Sequence, residues 1–257
     1  MNTLLEISHL TKTFGGLNAV SNVNLHIDKG ELVGLIGPNG AGKTTVFNLI
    51  TGVYKPNEGS ILLDGQSIGG LPPHQICQQG IARTFQNIRL FKQLSVLDNV
   101  KIAFHKEVSY SLLSAVFHTN SYYRGEDIIQ QKSMDLLKIF ELDNKKDELA
   151  CNLPYGEQRR LEIARALATD PKFLILDEPA AGMNPQETQA LTELIHWIRG
   201  QFNLSILLIE HDMTLVMGLC ERLYVLNYGQ ILTSGLPEEV RNDRKVIEAY
   251  LGEEVMR

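Results

Sequence analysis

The chain has 257 residues, 44% of them hydrophobic and 21% charged, which excludes disordered, collagen-like and coiled-coil chains and suffices to bury a core without staples. A formal net charge of −6, from 24 basic and 30 acidic residues, argues against a dedicated nucleic-acid binder, so no nucleic-acid partner is expected. Cys77, Cys151 and Cys220, odd in number and far apart, read as free thiols in a reducing compartment.

In chain order, the opening MNTLLEISHLTKTF lacks the basic start and apolar block of a secretory signal. Within it LLEISHL, and then VNLHI, read as antiparallel strands. ELVGLIG (Glu31 to Gly37) is a short apolar run between Gly30 and a Gly-rich loop, as a buried parallel strand requires, and VFNLITG beyond the loop is helix-like. The longest charge-free stretch, Gly65 to Ala82, is full of Gly, Gln, Pro and Ser, so no segment is expected to cross a bilayer. Arg83 to Phe85 reads as a strand ending at Gln86.

From about residue 90 to 168 no strand pattern stands out; helical patterns lie around Asp98–Phe104 and Ile128–Phe140, and residues 105 to 125 fit a long loop or a helical insertion. Leu161, Ala164, Leu167 and Ala168 recur at helical spacing before Asp170-Pro171 ends the run. FLILDE and SILLIEH (Phe173 to Glu178, Ser205 to His211) are again buried parallel strands. Leu191, Leu194, Ile195 and Ile198 mark a helix after Pro185. YVLNYGQILTSG reads as a hairpin about Asn227-Tyr228-Gly229. The pattern as a whole is an α/β core with a mostly helical lobe inserted.

Gly37-Pro38-Asn39-Gly40-Ala41-Gly42-Lys43-Thr44 fits the phosphate-loop pattern G-x-x-x-x-G-K-[ST], between a strand and a helix as that pattern demands. Glycines permit positive φ and leave room for phosphate. Successive N–H groups then form an anion nest at a helix N-terminus. Lys43 would neutralise β- and γ-phosphate charge, the Thr44 hydroxyl would ligate Mg2+, and Thr45 belongs to the same nucleotide-binding set. A Gly-rich strand–helix turn that binds nothing is the plainer alternative.

Asp177 and Glu178 end an apolar strand, where ligands sit in open α/β sheets. Asp177 can hold Mg2+ through its water shell, and Glu178 can orient or deprotonate an attacking water. Alone, such a pair would as readily cap the next helix. His211 ends another strand; its imidazole, neutral or cationic, can hydrogen-bond a γ-phosphate. The Gln86 amide can coordinate Mg2+ or hold water. Arg159, Arg160 and Arg165 in RRLEIARALA read as surface charges or as contacts to acidic partner groups.

In this order the segments are recognisable. The phosphate loop at 37–44, Gln86 in RTFQN, LPYGEQRRLEIARAL (153–167), FLILDEP (173–179), AAGMN (180–184) and His211 make the chain resemble the ATP-binding subunit of an ABC transporter over essentially its whole length. More narrowly, FGGLNAV, GPNGAGKTT, GIARTFQNIRLF, DEPAAGMNPQET, LLIEHDM and IEAYLG resemble the branched-chain amino-acid uptake ATPases. The lipopolysaccharide-exporter ATPase is a near relative, and urea or amide importers use similar subunits.

The resemblance implies one ATP-binding domain over 1–257: a P-loop NTPase (RecA-like) core from 1–88 plus 169–257, with an N-terminal antiparallel β-subdomain, and an α-helical subdomain at 89–168. It implies ATP and Mg2+ as cofactors, with Mg2+ near Thr44, Gln86 and Asp177. Catalysis falls to Glu178, His211, Lys43 and Gln86, and adenine stacking to Phe14. Gly156 and Glu157 would meet the nucleotide of a second ATP-binding subunit in a head-to-tail homo- or heterodimer. Two integral permease subunits would be the membrane partners, with an extracytoplasmic solute-binding protein acting indirectly, and the chain would lie peripherally on the cytoplasmic side of the inner or plasma membrane. Permease helices would dock near Gln86, where Ile88, Leu90 and Phe91 face either that partner or the core.

Two features depart from the family pattern. The usual Leu-Ser-Gly-Gly-Gln is Leu153-Pro154-Tyr155-Gly156-Glu157 here, and Asn184 stands where Asp is usual. Pro154 has neither hydroxyl nor N–H, so one γ-phosphate contact should be missing. A soluble DNA-repair or translation ATPase would carry coiled-coil insertions or tandem cassettes, which this chain lacks. A non-catalytic nucleotide-binding regulator would not need Glu178 and His211.

Overall fold

A computed structural model describes residues 2–107, 117, 119–210 and 213–255. The chain divides into two units, Met1–Arg83 with Lys172–Arg257, and Thr84–Pro171.

The first unit holds two sheets. Strands β1 (Thr3–Phe14), β2 (Leu17–Asp28), β4 (Glu58–Leu63) and β5 (Gln66–Ser67) form an antiparallel sheet in the order β2-β1-β4-β5. Strands β3 (Leu32–Ile36), β6 (Ile81–Arg83), β7 (Phe173–Asp177), β8 (Ser205–Ile209), β9 (Arg222–Asn227) and β10 (Gln230–Gly235) form the other, in the order β10-β9-β3-β8-β7-β6. All pairs in it are parallel except the β9–β10 hairpin. β3, β7 and β8 are buried at every position, which is why their sequences run apolar without alternation.

Helix α1 (Lys43–Ile50) follows β3 through the Gly-rich loop. Its Val46, Phe47, Leu49 and Ile50 share one core with Leu5, Ile7 and Leu10 of β1 and Val33 and Leu35 of β3. Each such side chain, fully removed from water, contributes about 1.5–3 kcal/mol. Helix α2 (Pro73–Gln78) precedes β6. With β8 between β3 and β7, the C-terminal ends of three parallel strands open side by side, and the candidate site forms there.

The second unit is helical: α3 (Val96–Lys101), a 3-10 turn at Ile102–Glu107, α4 (Asn120–Ile139) and α5 (Tyr155–Leu167). Ser95 caps α3 by accepting from Asp98 N at 3.0 Å. Among its described residues the unit has no strand, only one isolated bridge, Ser95 to Leu149. The first unit adds α6 (Pro185–Gln201), α7 (Met213–Leu219), α8 (Pro237–Asn242) and α9 (Arg244–Val255). Among the described residues no helix is long and apolar enough to cross a membrane.

Three local differences from the sequence reading have physical causes. The strand expected at 83–85 is 81–83, because its ladder partners are Phe173 to Ile175 and Gly80 O already accepts from Lys172 N and Phe173 N. The hairpin turn is the two residues Tyr228-Gly229, both at positive φ (44° and 77°), as the twist of paired strands favours. Helix α4 begins at Asn120, within the stretch 105–125 that carried no clear pattern; residues 108–116 and 118 lie outside the described residues.

Candidate functional site

The loop between β3 and α1 ends at Gly42, which caps the helix in a left-handed conformation (φ 105°); no side chain caps α1 and its first turn has no acid. The first bond into the helix is Val46 N to Gly42 O at 3.0 Å, so the N–H groups before it point out of the helix end with its positive dipole. Lys43 is 8% exposed and its Nζ donates to Gly37 O (2.5 Å) and Pro38 O (2.9 Å). Asn39, Gly40 and Thr44 are exposed, Thr45 is half-buried, and Pro38 and Ala41 are buried. The rim therefore offers amide donors, an ammonium and hydroxyls, a set that fits a chain of phosphates.

The glycines also serve the back of this loop. A Cβ on Gly37 would stand 2.0 Å from Leu226 O, and one on Gly42 would stand 2.5 Å from Ala19 O. The loop is thus pressed onto β9 and β2, closer than any side chain allows. Gly229 N donates to Ala41 O (2.8 Å), and Ser21 N donates to Gly229 O (2.8 Å). Sequence reading gave Gly229 only a turn. Its brace on the phosphate loop follows from β9 lying beside β3, which spacing does not reveal.

Asp177 ends β7, 9% exposed and paired in register with Ile209. Glu178, half-buried, turns the chain at φ 45°, a left-handed conformation unusual for a glutamate, while its N–H still bonds Ile209 O at 2.8 Å. Such a strained residue persists only where its surroundings fix it. Here Glu210 helps: 2% exposed, its carboxylate accepts from Ala180 N at 3.3 Å and holds the turn after Glu178. Glu210 was missed by the sequence reading, which stopped at the adjacent His211. His211 itself lies outside the described residues.

Asn184, at the end of that turn, is the N-cap of α6. Its Oδ1 accepts from Gln186 N and Glu187 N, both at 3.0 Å, and its own N–H donates to Glu187 Oε2 at 3.0 Å. This reciprocal capping box commits the side-chain oxygen that an aspartate would also supply. Phe14 is 41% exposed, edge-on to Tyr54 at 5.1 Å with Lys12 Nζ 5.1 Å from its centroid, so it is not a core residue.

In the helical unit Gln86 is exposed, beyond the end of β6. Gly156 sits in the first turn of α5, whose N-cap, Pro154, makes no side-chain cap. Glu157, in the same turn, bonds Lys145 Nζ through both oxygens (2.8 and 2.7 Å). Lys145 thereby neutralises a carboxylate at a helix end that would otherwise repel anions. Tyr155 lies along its own helix, its hydroxyl 3.4 Å from Arg159 Nη2. Phe91 is 49% exposed with Arg165 5.5 Å above its ring, and Ile88 and Leu90 are half-buried.

One sequence reading is corrected. Arg159 is not a surface charge: it is 0% exposed and bonds Phe85 O, Gln86 O and Glu162. An Arg–Glu pair at i, i+3 looks like a solvated helix pair, and here the main chain at residues 85, 86 and 89 bonds it instead of water. Burial pushes the Glu162 carboxyl above its ordinary range, opposed by the Arg89 N–H and by Arg159. Arg160 is the surface member, paired with Glu141 at 2.9 Å.

The family model described as ABC transporter matches residues 20–181, and a model named branched-chain amino acid ATP-binding cassette transporter matches 230–255. The high-affinity branched-chain amino acid transport ATP-binding protein LivG of Escherichia coli (strain K12) is 50% identical over 97% of this chain and 98% of its own. The lipopolysaccharide export system ATP-binding protein LptB of Haemophilus influenzae is 36% identical over 98% of each. A crystal structure of the ADP conformation of an ATP-binding cassette of an ABC transporter matches with a TM-score of 0.85 and 31% identity, covering 98% of this chain and 100% of that one.

Proposed function

Because this chain belongs to the ABC transporter ATP-binding proteins, we propose that it hydrolyses ATP to drive import of branched-chain amino acids. The higher identity to LivG than to LptB, 50% against 36%, and the match at 230–255 favour this cargo over lipopolysaccharide. The observation that carries the chemistry is an uncapped α1 behind a donor-lined loop, at the same edge of the sheet as the Asp177-Glu178 strand end two strands along.

In this reading the loop N–H groups from Gly37 to Thr45, apart from Pro38, which has none, and Ala41, which donates to Pro38 O, hold the β- and γ-phosphates together with the Lys43 ammonium. Thr44, Asp177 and Gln86 would hold Mg2+, which supplies charge neutralisation for the leaving diphosphate. Glu178 orients the attacking water and accepts its proton, and His211 braces the γ-phosphate. Phe14 stacks on adenine. Gly156 and the first turn of α5 point N–H dipoles at the γ-phosphate held by a second ATP-binding subunit, head to tail. Two permease subunits and, indirectly, a solute-binding protein complete the transporter, with this chain peripheral on the cytoplasmic face.

The test is Mg2+-dependent ATP turnover by the subunit assembled with its permease partners, with and without leucine and its binding protein. Glu178→Gln should retain ATP and lose turnover about 100-fold or more. Wild-type turnover in that variant would overturn the role of Glu178, and no leucine dependence would overturn the cargo.

A further inference from the structure

Arg159 and Glu162 form an ion pair whose side chains are 0% and 1% exposed. Such a pair contributes little net stability, because desolvation offsets the attraction, so a buried pair calls for another account. Its bonds go to one place. Arg159 Nη1 donates to Phe85 O (2.6 Å) and to Glu162 Oε2 (2.8 Å), and Nη2 donates to Gln86 O (2.9 Å). Glu162 Oε1 accepts from Arg89 N (3.0 Å). Two side chains from one turn of α5 thus fasten the main chain at residues 85, 86 and 89. The Tyr155 hydroxyl, 3.4 Å from Nη2, extends the contact to the first residue of that helix.

We infer that Arg159 and Glu162 are positioning residues that lock the loop carrying Gln86 to the helix end carrying Gly156, so that the two move as one body. The inference rests on the proposed function, in which Gln86 serves the nucleotide of its own subunit and Gly156 that of the partner subunit. A displacement at one nucleotide then reaches the other through a single guanidinium. The planar fork of arginine is required: two carbonyls and a carboxylate are served at once, which a lysine ammonium on a single point cannot reproduce.

The experiment uses the assembled transporter and compares Arg159→Lys, Glu162→Gln and Gln86→Ala, singly and with each of the first two combined with the third. Arg159→Lys and Glu162→Gln should each lower kcat about ten-fold or more, in the range seen when outer-shell partners are removed. ATP binding by the isolated subunit should stay within about two-fold, since the phosphate loop is elsewhere in the chain. In the Gln86→Ala background neither variant should cost further activity, because the group they position is gone. Losses that multiply in the double variants would overturn the inference, as would full activity of both single variants. If Arg159→Lys fails to fold, Glu162→Gln with Gln86→Ala decides, since it keeps the size of the side chain and an acceptor for Arg89. A wild-type control that turns over no ATP would sink the ATPase reading itself, and this inference with it.

Discussion

Gly229 N–H donates to the carbonyl of Ala41 across 2.8 Å, tying the tip of the β9–β10 hairpin to the middle of the phosphate loop. The same glycine sits at φ 77° with Ala19 O only 2.8 Å from where a Cβ would be. The loop's shape therefore depends on a residue more than 180 positions away in the chain.

Gly229→Ala should strain this brace twice, through the positive φ and through the clash. The expected cost is about 1–3 kcal/mol, read as a drop of several degrees in Tm, with weaker ATP binding. A variant that melts and binds ATP like wild type would refute the brace.

Pro154→Ser restores a hydroxyl and an N–H at the N-cap of α5. Its backbone (φ −53°, ψ 154°) suits serine without rearrangement. In a Glu178→Gln background, ATP-driven dimerisation should tighten by about ten-fold, the worth of one charge-assisted hydrogen bond. Sedimentation showing an unchanged dimer constant would count against a missing γ-phosphate contact.

Lys145→Ala should leave Glu157 as an uncompensated carboxylate in the first turn of α5. The KM for ATP is expected to rise by roughly three- to ten-fold at low salt, less at high salt. A KM independent of ionic strength in both proteins would show that this charge is not felt.

Asp64 meets Lys172 and Lys29, and hydrogen bonds from those two, Lys172 first, hold its carboxyl below the ordinary carboxylate range. A depressed carboxylate contributes stability above its unfolded pKa and loses it as pH falls through the folded one. These side chains are partly exposed, so the contribution is at most about 1 kcal/mol. Asp64→Asn should lower Tm slightly at pH 7, and the difference should shrink as the pH falls through and below the ordinary carboxylate range. A difference that persisted or grew in acid would contradict the ion pairs.

Much of this was legible in the sequence because it is local. The buried strands announce themselves by unbroken apolar runs, the phosphate loop by its glycines, and α6 by Pro185 and its periodic leucines and isoleucines. What was not legible is what distant segments do to one another. Arg159 is separated from Gln86 by 73 positions, and nothing in RRLEIARALA says that the main chain at residues 85–89 packs over it. Glu210 has no local signal; it bonds Ala180 N because β8, which it follows, lies beside β7. The end of β6 moved for the same reason, since partners rather than propensity set where a strand stops.

Under the proposed mechanism, the turn at Glu178 sets function against durability at a single position. A glycine would relax the left-handed backbone there at no steric cost, and Glu178→Gly would melt no lower than the native protein while having nothing with which to take a proton from water. Selection for heat resistance alone would favour glycine here, so under the proposed mechanism the backbone strain is what it costs to keep a carboxylate at this point.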